Sequence, residues 1–272
     1  MSVLYARDKN GKLSPVPSIK VEGYLEGIEQ GKAEGYAEGK AEGHTEGKAE
    51  GYAEGYTEGK QAEYDAFWDA FQVDRNEPRK YYCAFYGPYW NDVTFRPKYD
   101  IVCNSESNAN MFTGSQMTDL AGILKACGVR LDTSRAVSLS YAFSSCRVMT
   151  HVPELSLESI RTNGTNGLFQ NAKALHTIDK LIATSSTPWG EKMFENCEAL
   201  KNLTIEGTIG QNGLDLHWSP LSLGSLLSIV DALEQKTSGD WLVTIGAENL
   251  NRLKTQAPYR YEAARSKGWT LV

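Results

Sequence analysis

Small and apolar residues recur at three-residue steps after four phenylalanines in the C-terminal half of the chain. The spacings between these phenylalanines are 31, 26 and 25 residues, and a small side chain follows each of them three positions later. A period of about 20–29 residues with Leu or Ile at fixed offsets is typical of leucine-rich repeats, whose copies stack because none buries its apolar face alone. The pattern over 109–206 therefore predicts a repeat core that includes Phe112, Phe143, Cys146, Phe169, Phe194 and Cys197.

The first copy fits this pattern only with a one-residue deletion, through Met117, Leu120 and Ile123. After the last copy the apolar spacing changes, and the sequence predicts an amphipathic helix with Leu223, Leu226, Leu227, Val230 and Leu233 on one face. A strand, a second helix and a final strand are expected to follow it. Residues 207–272 are therefore expected to cap the open end of the repeat array, which such arrays need for solubility.

Ten glycines at strict four-residue spacing, from Gly23 to Gly59, dominate the N-terminal part. On a helix they allow close approach of neighbouring backbones, as in small-xxx-small contacts. The helix is the preferred interpretation because the repeat continues into 61–72, where four aromatic residues at i, i+3, i+4 and i+7 form one face. A β-strand with one small and one charged face and a flexible charged linker are the alternatives. The prediction is an oligomeric stalk over 21–72 built on Gly27, Gly31, Gly35, Gly39, Gly43, Gly47, Gly51 and Gly55.

Aromatic residues are dense over 73–108, where prolines at 78, 88 and 97 prevent a long helix. This segment is expected to be a connector of short strands and turns. Its rings either pack against the end of the stalk or form a binding surface, because Tyr and Trp are frequent in binding hot spots. The candidate ligand contacts are Tyr89, Trp90, Trp189 and Trp218, and for each of them packing is the alternative role.

The charge and the motifs of the sequence argue against several classes of function. The net charge is −6 over 272 residues, and the segment 21–63, with eleven Glu and four Lys, holds that acidity. A basic footprint for nucleic acid is missing from the sequence, as is an apolar run long enough to span a bilayer. The five cysteines are widely spaced without CxxC pairs, which argues against disulfides and zinc. With no catalytic motif in the sequence, the protein is expected not to be an enzyme and to use no cofactor or metal.

The repeat motif [ML]FxxCxxLxxI, which recurs in degenerate form over about 111–206, resembles the BspA-like leucine-rich repeats. The opening VLYARDKNGKLSPVPSIK resembles the start of fibre-like proteins of phages and prophages of Gram-positive bacteria, in which collagen-like repeats usually follow. Here the EGxx repeat replaces them, which leaves the structure of the stalk open.

Together these resemblances imply an α/β protein and a virion fibre made in the host cytoplasm. Residues 1–20 would attach it to other virion proteins, the stalk would form a homo-oligomer, most often a trimer in such fibres, and the leucine-rich-repeat heads would bind a host-surface glycan or protein. The location could be the tail, the baseplate or the head. The alternatives are a bacterial surface or interaction scaffold with the same repeats, and a purely structural decoration protein.

Overall fold

The structure, a computed structural model, describes residues 5–7, 13–15, 62, 65, 68, 84–103 and 108–272. The chain divides into two compact units, Met1–Gln72 and Val73–Val272. The described part is mixed α/β, with four helices of eight to ten residues and small, mostly parallel sheets. The glycines of the expected stalk, Gly27 to Gly55, lie outside the described residues.

The first unit begins with two short antiparallel strands, β1 (Tyr5–Arg7) and β2 (Leu13–Pro15), in which Ala6 pairs with Ser14. Farther along, the described residues Ala62, Asp65 and Trp68 are helical. Ala62 is exposed and Trp68 is buried, which agrees with the amphipathic helix that the aromatic spacing predicts over 61–72.

The second unit contains the remaining elements, in an order that alternates short strands with turns and then adds helices. They are β3 (Ile101–Val102), α1 (Leu120–Cys127), β4 (Leu131–Asp132), β5 (His151–Val152), β6 (Leu155–Ser156), β7 (Thr177–Ala183), β8 (Asn202–Gly207), α2 (Leu223–Ala232), β9 (Trp241–Val243), α3 (Ala247–Gln256), α4 (Pro258–Ser266) and β10 (Trp269–Leu271). Strand β7 lies between β8 on one side and β5 and β6 on the other, and every pairing is parallel.

Phenylalanine rings run through this unit as one stack, which we call the phenylalanine ladder. Neighbouring ring centroids lie 5.1 to 5.5 Å apart and neighbouring rings are within 21° of parallel. Offset stacking at this distance is a favourable arrangement for aromatic pairs. The five members of the ladder, all buried, are Phe85, Phe112, Phe143, Phe169 and Phe194.

The turn around each ladder ring is shaped by left-handed backbone. The residues two positions after the phenylalanine all have positive φ: Gly87, Gly114, Ser145, Asn171 and Asn196. The residues two positions before four of them do so as well: Asn110, Tyr141, Gly167 and Lys192. Glycine and asparagine enter this region most easily, so their recurrence around the phenylalanines fixes a tight turn in each copy.

Two columns of backbone hydrogen bonds join successive copies. On the phenylalanine side, the amide of each ladder residue donates to the residue that precedes the next ladder ring, as from Phe143 to the Leu168 carbonyl (2.8 Å). On the sheet side, the column passes from copy to copy through Thr118, Thr150, His176, Lys201 and Ser222. Each copy thus satisfies part of its backbone groups by contact with its neighbours.

The first copy differs from the sequence expectation. Met117, Leu120 and Ile123 are buried as expected, but Leu120–Cys127 is a helix. Asp119 caps its first turn by accepting a hydrogen bond from the Gly122 amide, and the left-handed Gly128 ends it. An i, i+3 spacing fits both a helix and a three-residue repeat, which explains the different interpretation from sequence.

The C-terminal segment follows the predicted order with one addition. Helix α2 lies along β8, where its Ser225 and Ser228 hydroxyls accept hydrogen bonds from the amides of Leu203 and Ile205, each at 2.8 Å. These hydroxyls accept from the β8 edge amides, which would otherwise need a further strand as their hydrogen-bond partner. Between β9 and β10 there are two helices where one was expected, because Pro258 cannot continue α3 and instead occupies the first turn of α4.

Candidate functional site

The exposed face of the parallel sheet carries an irregularity between β7 and β8. Ile178 pairs with Leu203 and Leu181 pairs with Ile205, so two residues of β7 oppose one residue of β8. Such a bulge leaves the extra residue outside the regular alternation and re-aims side chains locally. Its consequence is that Asp179 and Lys180 are both part-exposed on β7, next to each other.

A histidine links the bulge to the preceding copy. His151 Nε2 lies 2.7 Å from a carboxylate oxygen of Asp179, and its Nδ1 lies 3.1 Å from a carboxylate oxygen of Asp119. A protonated imidazole donates through both nitrogens to the two carboxylates. Asp119 is itself fixed as the cap of α1, so this contact holds the Asp179 carboxylate in place through residues from three copies.

Lys180 makes a second bridge across the same strands. Its ammonium lies 2.7 Å from Glu206 and 3.2 Å from Glu154. The hydrogen bonds that the Lys180 ammonium donates to these two carboxylates, with Glu206 the larger cause, raise the pKa of Lys180 above its usual value. We call the six side chains of these two bridges the charge network: Asp119, His151, Glu154, Asp179, Lys180 and Glu206.

A groove opens beside the bulge, with a cavity volume of about 280 Å³. One wall is the β7–β8 surface and the other is the first turn of α2. We call it the bulge groove; it is lined by Thr177, Ile178, Asp179, Asn202, Leu203, Thr204, Ser222, Gly224 and Ser225. Ile178 and Leu203 are buried, so the β7 and β8 side chains that reach solvent in the groove are polar: Thr177, Asp179, Asn202 and Thr204.

No family model, no curated protein and no solved structure matches the chain. The second unit has an aromatic core inside and a surface whose backbone is fixed by hydrogen bonds between copies.

The four aromatic residues expected as ligand contacts lie in different environments. Tyr89 and Trp218 are exposed, at 60% and 44% of their full area, whereas Trp189 is buried. Trp90 is half-buried, with its ring edge-on to Phe85 at 5.3 Å. The ring of Trp218 is supported by the neighbouring His217, whose Nδ1 lies 2.6 Å from Asp215. None of the four lines the bulge groove.

The two cysteines of the expected repeat core lie inside the stack. The Cys146 thiol donates to the Phe112 carbonyl at 3.0 Å, and the Cys197 thiol donates to the Phe169 carbonyl at 3.2 Å. Burial raises the pKa of Cys146 to about 11 and that of Cys197 to about 12. At neutral pH both thiols are protonated, so they act as small buried side chains that satisfy a carbonyl of the preceding copy.

Metal binding and membrane insertion find no support in the described part of the chain. Among the residues that the structure describes, no group of three or more His, Cys, Asp or Glu side chains could hold a metal ion. Within the same residues no helix combines the length and apolar character needed to cross a bilayer.

The sequence reasoning missed the bulge groove and the first ladder ring. A signal for the groove was present: the three-residue step Ile178–Leu181 shortens to a two-residue step at Leu203–Ile205, which is where the bulge forms. A signal for Phe85 was present too, because Ala84-Phe85 repeats the dipeptide Ala142-Phe143 and precedes Phe112 by 27 residues.

Proposed function

We propose that the protein is a structural fibre of a phage or prophage virion and that its C-terminal part binds the host-cell surface. In this proposal residues 109–206 form a BspA-like leucine-rich-repeat solenoid and residues 207–272 close its end. Residues 1–20 attach the fibre to other virion proteins, and the glycine repeat makes a homo-oligomeric, trimeric stalk.

The observation that carries the solenoid is the pair of hydrogen-bond columns on either side of the phenylalanine ladder. Copies that bond only to their neighbours form an array that presents one side chain of each copy along the same face. That face holds the bulge groove and the charge network, both fixed by hydrogen bonds. A fixed polar surface, repeated on the chains of an oligomer, suits multivalent attachment, in which weak contacts add through effective concentration.

Particle labelling tests the virion assignment. Phage particles are induced from the bacterial strain that carries this gene, purified, and treated with gold-labelled antibody against the full chain. We expect label at one defined position on each particle, and we expect deletion of the gene to remove it. Absence of the protein from purified particles, with the protein present in the cell lysate, would overturn the assignment and favour a bacterial interaction scaffold.

Adsorption distinguishes a receptor-binding fibre from a decoration protein. The purified full chain is added to host cells before the particles, and free particles are counted over time. We expect competition that grows with the concentration of the chain. Labelled particles whose adsorption is unaffected both by the added chain and by deletion of the gene would identify a decoration protein instead.

A further inference from the structure

The bulge groove has the size of a site for one small polar unit. Its volume of about 280 Å³ lies just below the range of about 300–1,000 Å³ that holds drug-sized ligands. The base of the groove lies over Ile178 and Leu203, whose side chains are buried in the core, and polar side chains rise along both sides of it. A ligand there would have hydrogen-bonding partners around its rim.

The polar groups of the rim retain hydrogen-bonding capacity. Asp179 uses its Oδ1 for His151, which leaves its second oxygen for another donor. Asn202 makes only long side-chain contacts, of 3.4 and 3.5 Å, through its Nδ2, so its Oδ1 can still accept. Thr204, exposed on β8 between Leu203 and Ile205, supplies a hydroxyl that both donates and accepts.

The opposite wall is held in a fixed position. The Ser222 hydroxyl caps α2 by accepting from the Ser225 amide at 3.3 Å, and the Ser225 hydroxyl donates to the Lys201 carbonyl at 2.9 Å. These bonds tie the first turn of the helix to the start of β8. Gly224 lies in that turn, and a side chain added there would begin in open space, since only the Ser222 hydroxyl comes within 4 Å, at 3.9 Å. The groove is therefore preorganised, which reduces the entropic cost of binding.

Charge selects among polar ligands. The charge network beside the groove holds four carboxylates and one ammonium, with a histidine between two of the carboxylates. This balance disfavours anionic ligands such as phosphate-containing polymers. The hydroxyl, amide and carboxylate groups of the rim instead match a neutral molecule with several adjacent hydroxyl groups.

We propose that the bulge groove binds one hexose unit of a neutral polysaccharide. The Asp179 carboxylate accepts hydrogen bonds from ring hydroxyls, with Asn202 and Thr204 as further partners. The biological part of this proposal, that the polysaccharide belongs to the host surface, rests on the proposed function.

The direct test uses the purified full chain and three probes, the methyl glycosides of glucose, galactose and N-acetylglucosamine. Saturation-transfer NMR at about 10 mM sugar detects millimolar affinities, which are typical of weak single contacts. We expect transfer to at least one of the three sugars, and no broadening or shift of the ³¹P line of inorganic phosphate when the protein is added. Absence of transfer to all three sugars would overturn the proposal.

A pair of matched variants locates the site. Gly224→Arg places a long side chain beside Asp179 and should weaken sugar binding at least tenfold. Arg also favours helix over Gly, so we expect no loss of folding. Ala247→Arg makes the same kind of change in the exposed first turn of α3, away from the groove, and should bind sugar as the wild type does. Asp179→Asn provides a second, smaller change, again with an expected loss of at least tenfold. Equal sugar affinity in Gly224→Arg and the wild type would overturn the site.

Adsorption of variant particles distinguishes a failure of the hexose site from a failure of the fibre assignment. Labelled particles that carry Gly224→Arg and adsorb normally would overturn a role for the groove and leave the fibre assignment intact. Sugar binding by the purified chain that Gly224→Arg abolishes, with no protein on particles, would overturn the fibre assignment and leave the hexose site intact.

Discussion

Replacing one ring of the phenylalanine ladder measures how strongly neighbouring copies depend on each other. Phe143 is fully buried and stacks at 5.2 Å on Phe112 and at 5.5 Å on Phe169. The change Phe143→Leu removes two ring pairs, each worth about 0.5–1.5 kcal/mol, and adds a loss of about 1 kcal/mol for the smaller buried side chain. We expect the free energy of unfolding of the full chain to fall by about 2–4 kcal/mol, measured by urea denaturation with circular dichroism.

Double-mutant cycles separate the ring contact from the loss of volume. Phe143→Leu with Phe169→Leu changes two rings in contact, whereas Phe112→Leu with Phe169→Leu changes two rings that have Phe143 between them. We expect a coupling energy of about 0.5–1.5 kcal/mol for the first pair and of less than about 0.5 kcal/mol for the second. Equal coupling energies in the two cycles would refute the idea that direct ring stacking links the copies.

Three further predictions concern the backbone and the thiols. Gly207→Ala should lower the free energy of unfolding, measured by urea denaturation, by about 1–3 kcal/mol more than Gly128→Ala does. Both glycines have positive φ, but only at Gly207 would the new Cβ lie 2.1 Å from a backbone oxygen. Lys192→Gly should raise the free energy of unfolding by about 0.5 kcal/mol, because the native φ of 59° strains a side chain; a lower urea midpoint would contradict this. At pH 8 an aromatic disulfide reagent should modify the half-buried Cys127 in the native protein but Cys197 only after unfolding, as followed by mass spectrometry of peptides. The reason is that burial raises the pKa of Cys197 to about 12, so its thiol stays protonated and unreactive. Equal modification rates of the two cysteines in the native protein would contradict the burial of Cys197.

The core of the second unit was predictable because its signal is local and periodic. A phenylalanine followed three positions later by a small residue recurs with nearly constant spacing, and stacking such copies brings like positions together. The same argument would have found Phe85, whose spacing of 27 residues to Phe112 falls within the observed range. Helix α1 could have been predicted from its capping residues, Asp119 and Gly128. Its i, i+3 apolar spacing also fits the three-residue step of the repeat, so the spacing alone does not identify a helix.

The bulge groove could be predicted only in part. The shortened step at Leu203–Ile205 is visible in the sequence, but it indicates a bulge only once β8 is known to pair with β7. The other wall depends on where α2 is attached, through the Ser225 hydroxyl and the Lys201 carbonyl, which are 24 residues apart. Long-range pairings of this kind follow from the assembled fold and leave no periodic trace in the sequence.

The two hydrogen-bond columns have a consequence for how such a chain can change in length. Because each copy is bonded to the next one in the same way, a tandem duplication of residues 169–193 would leave each donor of the two columns with an equivalent partner. The gene could therefore gain or lose whole copies by recombination between the repeated segments while the two ends stay as they are. Each such event would move the bulge groove along the array by one copy, and Thr177 of the added copy would then face Asp179 in the place that His151 has now.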